Sequence, residues 1–442
     1  MWTDNSQLNK EQISYLNDND KAINIFSSKI KNLAEKPPNL FVYPKESGLE
    51  NKRILEYDYQ AEAKLRTTNI MGVISYKAQG EKPVTISIRS RFDNDEQQKF
   101  LLWMLTHTFG GNIVDLKTDV NELNFQNILL VFLFHYHLGC AYRQGLFKQY
   151  MRILYNDSNF RGALDVNRHI KQNFPFTGQI AYQIKEYSYD NPILWLIRHA
   201  AGYIRSTYPQ LYNTVFTNNQ VVGELLRIIK EATPSYTPLK QHHLYYKCQK
   251  PIRHPFYTEY ENLRKICLQL LRHEGLNPYE SSQEKEQVYG VLFDGAWLWE
   301  SYIASLLKKH GFIRHIRGFG DENGIKVFND GYRLYPDHHY KNENGDIIFD
   351  SKYKFWNTEK NSHDIHQVLA YMYITKAKTG GIIYPQKNDN KSDNQLSPKK
   401  LSGYNGNWWQ IPFKIPDATT DNFEDEIDKN EKEFLNTIEK LV

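Results

Sequence analysis

At 442 residues, with 40% hydrophobic side chains and a net charge of only +4, the chain is long enough to bury a large core and to form two or three domains. Its three dispersed cysteines, Cys140, Cys248 and Cys267, show no C-x-x-C spacing, which excludes a disulfide framework and a cysteine-based zinc site and fits a reducing compartment. Met1–Ser6 lacks the charged and apolar regions of a signal peptide, and the longest apolar run, Ile128–Phe134, is too short to span a bilayer. A soluble, cytoplasmic protein with no membrane partner is expected.

In chain order, residues 1–40 read as a polar helix or frayed leader ending at Pro37-Pro38. Residues 41–92 alternate as strands do, with Gly80–Pro83 as a turn before Val84–Ile88. From Glu96 to about 285 the pattern is mainly helical, including the apolar runs Phe100–Leu105 and Ile128–Phe134, with interruptions at Pro234, Pro238, Pro251 and Pro255. Leu292–Gly311 has apolar residues at 292, 296, 299, 303 and 306, a helical stripe with Glu300 beside it. Two β-rich runs follow around 332–353, then a helix over Asp364–Tyr373 with Gln367 and Tyr371 on one face. Asn388–Lys400 is a polar insertion, and the acidic stretch Asp417–Glu439 spaces Phe423, Ile427, Phe434 and Ile438 for a terminal amphipathic helix. The expectation is an α+β chain: a β-rich N-terminal domain over 1–115, a mainly helical region over 116–285 and an α/β domain over 286–442.

The chemistry concentrates in the third part. Asn342-Glu343-Asn344-Gly345 is turn chemistry, and a hairpin closed by it pairs Lys341 with Asp346 and Asp337 with Asp350. Two carboxylates facing each other across a strand pair repel unless a cation lies between them. Lys352, two residues beyond Asp350, shares that face. Other acid-x-lysine pairs occur, Glu62/Lys64, Asp115/Lys117 and Asp389/Lys391, but only Asp350/Lys352 follows a buried-strand run, Ile347-Ile348-Phe349. The pairs His338-His339, His363/His366, His242-His243 and His135/His137 read as hydrogen-bonded or exposed imidazoles rather than zinc ligands.

A helix bearing a glutamate, then Pro336-Asp337, then Asp350-Ser351-Lys352 on a strand, then Gln367-x-x-x-Tyr371 on a helix, resembles the RecB-like branch of the PD-(D/E)xK nucleases. More narrowly, Asp350–Lys354 and Asp364-x-x-Gln367-x-x-x-Tyr371 resemble McrC, the nuclease subunit of McrBC modification-dependent restriction systems, and its LlaJI-type relatives. Arg161–Ile170, and Gly72-Val73-Ile74 followed by Ile86–Arg89, are similar to further segments of that family. The resemblance implies that Asp337 and Asp350 bind metal, that Lys352 positions or activates water, and that Glu300 completes the metal shell, with Asp294 as its competitor. Gln367, Tyr371 and Lys354 would organise the site and touch the DNA backbone.

Carboxylates suit Mg²⁺, with Mn²⁺ as a substitute, and the implied reaction leaves a 5′-phosphate on double-stranded DNA. The chain has no Gly-x-x-x-x-Gly-Lys-Ser/Thr, so any NTP-driven motor is a separate protein. The resemblance implies a McrB-like AAA+ GTPase hexamer, contacted through residues 41–115, with Arg89 and Arg91 as candidates to reach its GTPase site. A stand-alone nuclease and a catalytically silent adaptor on such a ring are the alternatives. Two basic stretches, residues 141–172 with six Lys/Arg against two acids and 240–272 with seven against two, fit either phosphate contact or solvated helix faces.

Overall fold

The computed structural model describes all residues except 1, 18–20, 37–38, 59–63, 79–82, 94–97, 110–121, 214–215, 217–219, 239–240, 274–286, 317–323, 330, 344, 358–360, 388–396, 404 and 418–421. The chain is a mixture of helices and several sheets and divides into two compact units, Met1–Leu129 with Lys285–Val442, and Leu130–Glu284. Among the described residues no helix is long and apolar enough to cross a membrane.

The first unit holds two five-stranded sheets. In one, the order is Trp2–Thr3, Val84–Arg89, Ile70–Lys77, Gln287–Asp294, Leu40–Val42. Ile70–Lys77 is central, antiparallel to both neighbours and buried along most of its length. Gly72 allows the close approach there: its φ is +122°, and a Cβ would lie 2.1 Å from the carbonyl oxygen of Val291.

Two expectations are resolved in this sheet. Of the two readings of residues 1–40, the described part takes the helical one, as three short helices rather than one, and adds the parallel strand Trp2–Thr3. Trp2, Leu16, Phe26 and Ile30 are buried in the same core as Ile74 and Ile86, so sparse apolar residues with irregular spacing were enough to anchor the segment. The helix expected from Leu292 begins only at Gly295. Residues up to Asp294 pair with Ile70–Lys77 through eight register positions, and this long-range pairing overrides a local stripe that fits both structures. A strand beyond residue 286 thus lies between two strands from the first 115 residues. The expected domain boundaries at 115/116 and 285/286 lie outside the described residues.

The second sheet runs His338–Tyr340, Ile347–Ser351, Thr379–Lys387, Asn407–Ile415, Lys399–Lys400. Its first pair is antiparallel, and Ile347–Ser351, Thr379–Lys387 and Asn407–Ile415 are mutually parallel. Ile348, Ile382 and Trp408 share one face with Val368, Tyr371 and Met372 of the helix Ser362–Thr375. Phe413 meets Trp299 and Tyr302 of the helix Gly295–Leu307, and Phe434 of the terminal helix Phe423–Glu439. That terminal helix buries Phe423, Ile427, Phe434 and Ile438, the four positions its spacing singled out. Its Glu431 is also buried and accepts hydrogen bonds from Trp103 Nε1 at 2.7 Å and the Tyr302 hydroxyl at 2.6 Å. In the polar insertion, residues 388–396 lie outside the described residues, and Lys399–Lys400 forms a short edge strand.

The second unit contains the helices Pro192–Thr207, Gln220–Ala232, Gln241–Cys248 and Glu259–His273 and the later part of Glu122–Arg143. Within this largely helical region it also contains a three-stranded antiparallel sheet of Gln149–Asp157, Ile180–Ser188 and Ala163–Leu164. Along Gln149–Asp157 exposed and half-buried residues alternate, and Arg152 interrupts the apolar residues, so the stretch carries little strand signal beyond its period. Arg161–Ile170 spans the short strand and the start of the helix Val166–Asn173, whose N-cap Asp165 accepts from the amide of Arg168 at 3.1 Å.

Candidate active site

The hairpin register is the one expected from its turn. His338, His339 and Tyr340 pair with Phe349, Ile348 and Ile347, so the same register places Asp337 opposite Asp350, just before the first strand begins. Asn344, inside the turn, lies outside the described residues. Side chains alternate along Ile347–Ser351, so Asp350 shares the Ile348 face that receives the helix Ser362–Thr375. His338 and Ser351 share the opposite face, where His338 Nε2 and Ser351 Oγ are 2.7 Å apart. Burial holds the His338 imidazole neutral, with its pKa lowered to about 3 and Arg314 adding to the effect.

Asp337 accepts the amide hydrogen of Ser351 at 2.8 Å, which ties the turn before one strand to the end of the other. Asp350 is 1% exposed, and its Oδ2 lies 2.5 Å from Lys352 Nζ, an ion-pair contact without hydrogen-bond geometry. Lys352 Nζ also donates to Gln367 Oε1 at 3.1 Å, and Gln367 Nε2 donates to the Tyr371 hydroxyl at 2.6 Å. Gln367 and Tyr371 are one helical turn apart and sit over the acid-bearing face, so Lys352 is held from two sides. Lys354 pairs with Asp364, whose other oxygen is 3.7 Å from Lys352 Nζ.

Glu300 lies close enough to feel the charges of Asp350 and Lys352, and its carboxylate is 3.4 Å from Arg314 Nη2. Arg314 Nη1 also donates to Ser301 Oγ at 2.8 Å. Asp294 has a different role from the competing one considered for it. Its Oδ1 caps the helix Gly295–Leu307 by accepting from the amide of Trp297 at 2.9 Å, while Oδ2 meets Lys52.

The electrostatics follow from this crowding. Burial raises the pKa of Asp337 well above the usual carboxylate value, and the charges of Asp350 and Glu300 push it further than Lys352 and the Ser351 amide pull it back. Burial likewise raises Glu300 to about 7; Arg314 opposes this and the charges of Asp350 and Asp294 add to it. Lys352 is raised as well, which for a lysine favours the charged form: burial disfavours its charge, but Asp350, Asp337 and Asp364 outweigh burial and keep it protonated. Tyr371 is raised by burial to about 12 and remains a neutral hydroxyl.

The structure therefore brings Asp337, Asp350, Lys352, Glu300, Gln367, Tyr371 and Lys354 into one neighbourhood. Motif reading missed Arg314, the counter-ion of Glu300, because the arginines of Gly311–Arg317 match no motif spacing. It quoted Asp364 without seeing that Asp364 faces both lysines. The histidine pair is internal support: His339 Nε2 meets Asp346 Oδ2 at 2.8 Å and its Nδ1 meets His315 Nε2 at 3.1 Å. The side chains of His242 and His243 lie outside the described residues.

No three His, Cys, Asp or Glu side chains among the described residues already converge on a common metal-binding point. The donor set nonetheless fits a hard divalent cation. Mg²⁺ is commonly held by one or two carboxylates, with water and substrate oxygens filling its octahedron. Asp350 Oδ2 already meets the Lys352 ammonium, but burial and the acids' mutual repulsion raise Asp337 and Glu300 beside it, so the carboxylate cluster favours a further positive charge.

Comparison with known proteins gives this constellation a family. The profile described as "McrBC 5-methylcytosine restriction system component" matches residues 65–385, more than half of the chain. The chain belongs to the McrBC family. The matched range includes the acid hairpin, Lys352, Glu300 and the Gln367–Tyr371 helix. The resemblance drawn from the motifs is thus borne out at family level. Among solved structures, the McrBC chain is similar at 15% identity and a TM-score of 0.44, over 99% of both chains, to one from a half-complex of Thermococcus gammatolerans McrB AAA+ hexamers with bound McrC. A second similarity, at 14% identity and a TM-score of 0.30, covers 70% of this chain and 86% of one in the Thermococcus gammatolerans McrBC complex. No curated protein matches the chain significantly.

Two expectations about partner contact are affected by the geometry. Arg91 is only 10% exposed at its side chain and is committed to Asp4, so it does not reach out toward a partner. Arg89 is half-buried, with its Nε 3.5 Å from Thr3 Oγ1. The basic stretch 141–172 places Arg152 on an exposed sheet face directly opposite Lys185, beside the exposed pair Tyr150 and Tyr187.

Proposed function

We propose that this McrBC family member is the nuclease subunit of McrC type: a divalent-metal-dependent DNA endonuclease, with a PD-(D/E)xK domain, driven by a separate McrB-like AAA+ GTPase hexamer. The observation that carries the reading is the register match of Asp337 with Asp350, followed on the same face by Lys352, which is tied to Gln367 and through it to Tyr371. A structural ion pair needs one acid and one lysine; here three acids crowd one lysine in a partly buried place.

Asp337 and Asp350 would hold Mg²⁺ or Mn²⁺, with Glu300 reaching it directly or through water. The cation would supply Lewis acidity toward a phosphate oxygen and lower the pKa of a water. The protein's own groups do the rest. Lys352, kept cationic by its acid neighbours, orients the nucleophile and offsets negative charge developing on the phosphate. Gln367 fixes the lysine's reach, and the neutral Tyr371 fixes Gln367. Lys354, paired with Asp364, would meet the backbone of double-stranded DNA, and Lys148, Arg152 and Lys185 of the second unit would offer further phosphate contacts.

The AAA+ partner is supported by the family and by the absence of a P-loop in this chain. The test is Mg²⁺-dependent cleavage of methylated and unmethylated plasmid by wild type and Asp350→Ala, with and without the co-encoded NTPase and GTP. Cleavage that needs Asp350, Mg²⁺ and the NTPase supports the proposal. Cleavage independent of the NTPase makes the protein a stand-alone nuclease, and stimulation of the NTPase without any cleavage makes it an adaptor.

A further inference from the structure

The residue after Lys352 is clamped from a distant part of the sequence. Tyr353 is 5% exposed, and its hydroxyl lies 2.6 Å from Ser90 Oγ at the end of the strand Val84–Arg89. The Arg91 guanidinium lies over the Tyr353 ring at 4.8 Å from its centroid, and Phe92 meets the ring edge-on at 4.9 Å. Three consecutive residues, Ser90, Arg91 and Phe92, thus grip one side chain from three directions.

Arg91 is itself held rigidly. Its Nη2 and Nε donate to Asp4 Oδ2 at 2.7 and 3.1 Å, its backbone amide donates to Asp4 Oδ1 at 2.5 Å, and Nη2 also meets Asn69 Oδ1. Asp4 is fully buried, so this fork saturates a carboxylate that would otherwise be stranded. Asn69 leads onward, because its carbonyl accepts the amide of Gly295, the first residue of the helix that bears Glu300. Gly295 in turn leaves room for Tyr353: a Cβ there would lie 2.7 Å from the tyrosine Cε1. One node therefore touches both elements that deliver candidate catalytic groups, the strand exit carrying Lys352 and the helix start before Glu300.

We infer that Arg91 is a positioning residue: stacked on Tyr353 and tied to Asp4 and Asn69, it fixes Lys352 and the Glu300 helix relative to each other. The inference rests on the nuclease reading of the site. Lys352 is flanked by short, tightly bonded backbone, its amide donating to Ile383 O at 2.9 Å and Lys354 N to Lys352 O at 3.0 Å, so rotation of Tyr353 about its neighbours moves Lys352 as well. Misplacing a reacting group by about 1 Å costs about 100-fold in rate. The node also joins the N-terminal sheet mechanically to the acid site, a route by which a partner bound on that sheet would tune cleavage.

The test uses the full-length chain with its co-encoded NTPase, GTP, Mg²⁺ and plasmid, reading kcat and KM for DNA separately beside the thermal midpoint. Arg91→Met is expected to lower kcat by about 10- to 100-fold with KM changed less than about two-fold. Arg91→Lys is expected to restore little, because an ammonium has neither the fork for Asp4 and Asn69 nor the planar stack on Tyr353. Tyr353→Leu should match Arg91→Met, Tyr353→Phe should fall less, and Arg91→Met with Tyr353→Leu should be no worse than the poorer single variant. Asp4→Asn with Arg91→Met removes the stranded charge and so guards against simple misfolding; it should keep the kcat deficit. Recovery of wild-type kcat in that variant, effects that multiply, or a kcat that falls only with the folded fraction would overturn the inference. If Asp350→Ala still cleaves, the nuclease reading itself fails; if Asp350→Ala is dead while the Arg91 variants match wild type, only the positioning role fails.

Discussion

Glu300 provides a quantitative test of the metal site. Its pKa is raised to about 7, so at pH 6 about a tenth of the molecules carry it ionised and at pH 8 about nine-tenths do. A divalent cation binds the ionised form. The sign is fixed by the direction of the shift: a raised carboxylate pKa means that lowering the pH places a proton in competition with the metal. From pH 6 to pH 8 the apparent Mg²⁺ affinity should therefore rise about ten-fold through Glu300 alone, and more steeply with the share of Asp337, which burial and its acid neighbours also raise. Isothermal titration calorimetry at both pH values, in buffers of different ionisation enthalpy, reads the affinity and the protons released. Glu300→Gln should flatten the response to the part owed to Asp337. Equal Mg²⁺ affinity at pH 6 and pH 8, or an unchanged pH response in Glu300→Gln, would refute the assignment of Glu300 to the metal shell.

Three further outcomes are expected. Gln367→Leu strips Lys352 and Tyr371 of a shared partner and should lower kcat about ten-fold with little change in KM, read by single-turnover cleavage. Glu431→Leu strands the Trp103 and Tyr302 donors and should cost about 2–4 kcal/mol, visible as a lowered thermal midpoint of the first unit. His338 titrates at about 3 in the fold and near 6.5 when unfolded, so the unfolded chain takes up the proton first and stability should drop as the pH falls from 6.5 towards 3; His338→Gln should lose that slope when midpoints are compared across pH.

The sequence by itself determined the parts whose signals are local. The polar turn Asn342–Gly345 and the period of two set the hairpin register, and with it the pairing of Asp337 and Asp350. The four-residue spacing of Gln367 and Tyr371 put both on one helical face, and the spacing of Phe423, Ile427, Phe434 and Ile438 gave the buried stripe of the last helix. In each case, neighbours in the chain are neighbours in space, and one period describes them.

Only the tertiary structure decided the rest. Leu292-Phe293-Asp294 fits a helix by spacing but is a strand, because Ile70–Lys77, more than 200 residues earlier, supplies its hydrogen-bond partners. With the helix starting at Gly295, Asp294 becomes its cap while distant Lys52 meets its other oxygen, and the bridge of Ile313 to His339 accompanies Arg314 beside Glu300. Long-range packing also seated Arg91 on Tyr353, where a local reading had turned the arginine outward toward a partner. The exposed strands of the second unit escaped notice because polar residues interrupt their short apolar runs and only half of each strand is covered. Local periodicity specifies which face a side chain occupies; what lies opposite that face is set by pairings between distant segments, which no window of sequence contains.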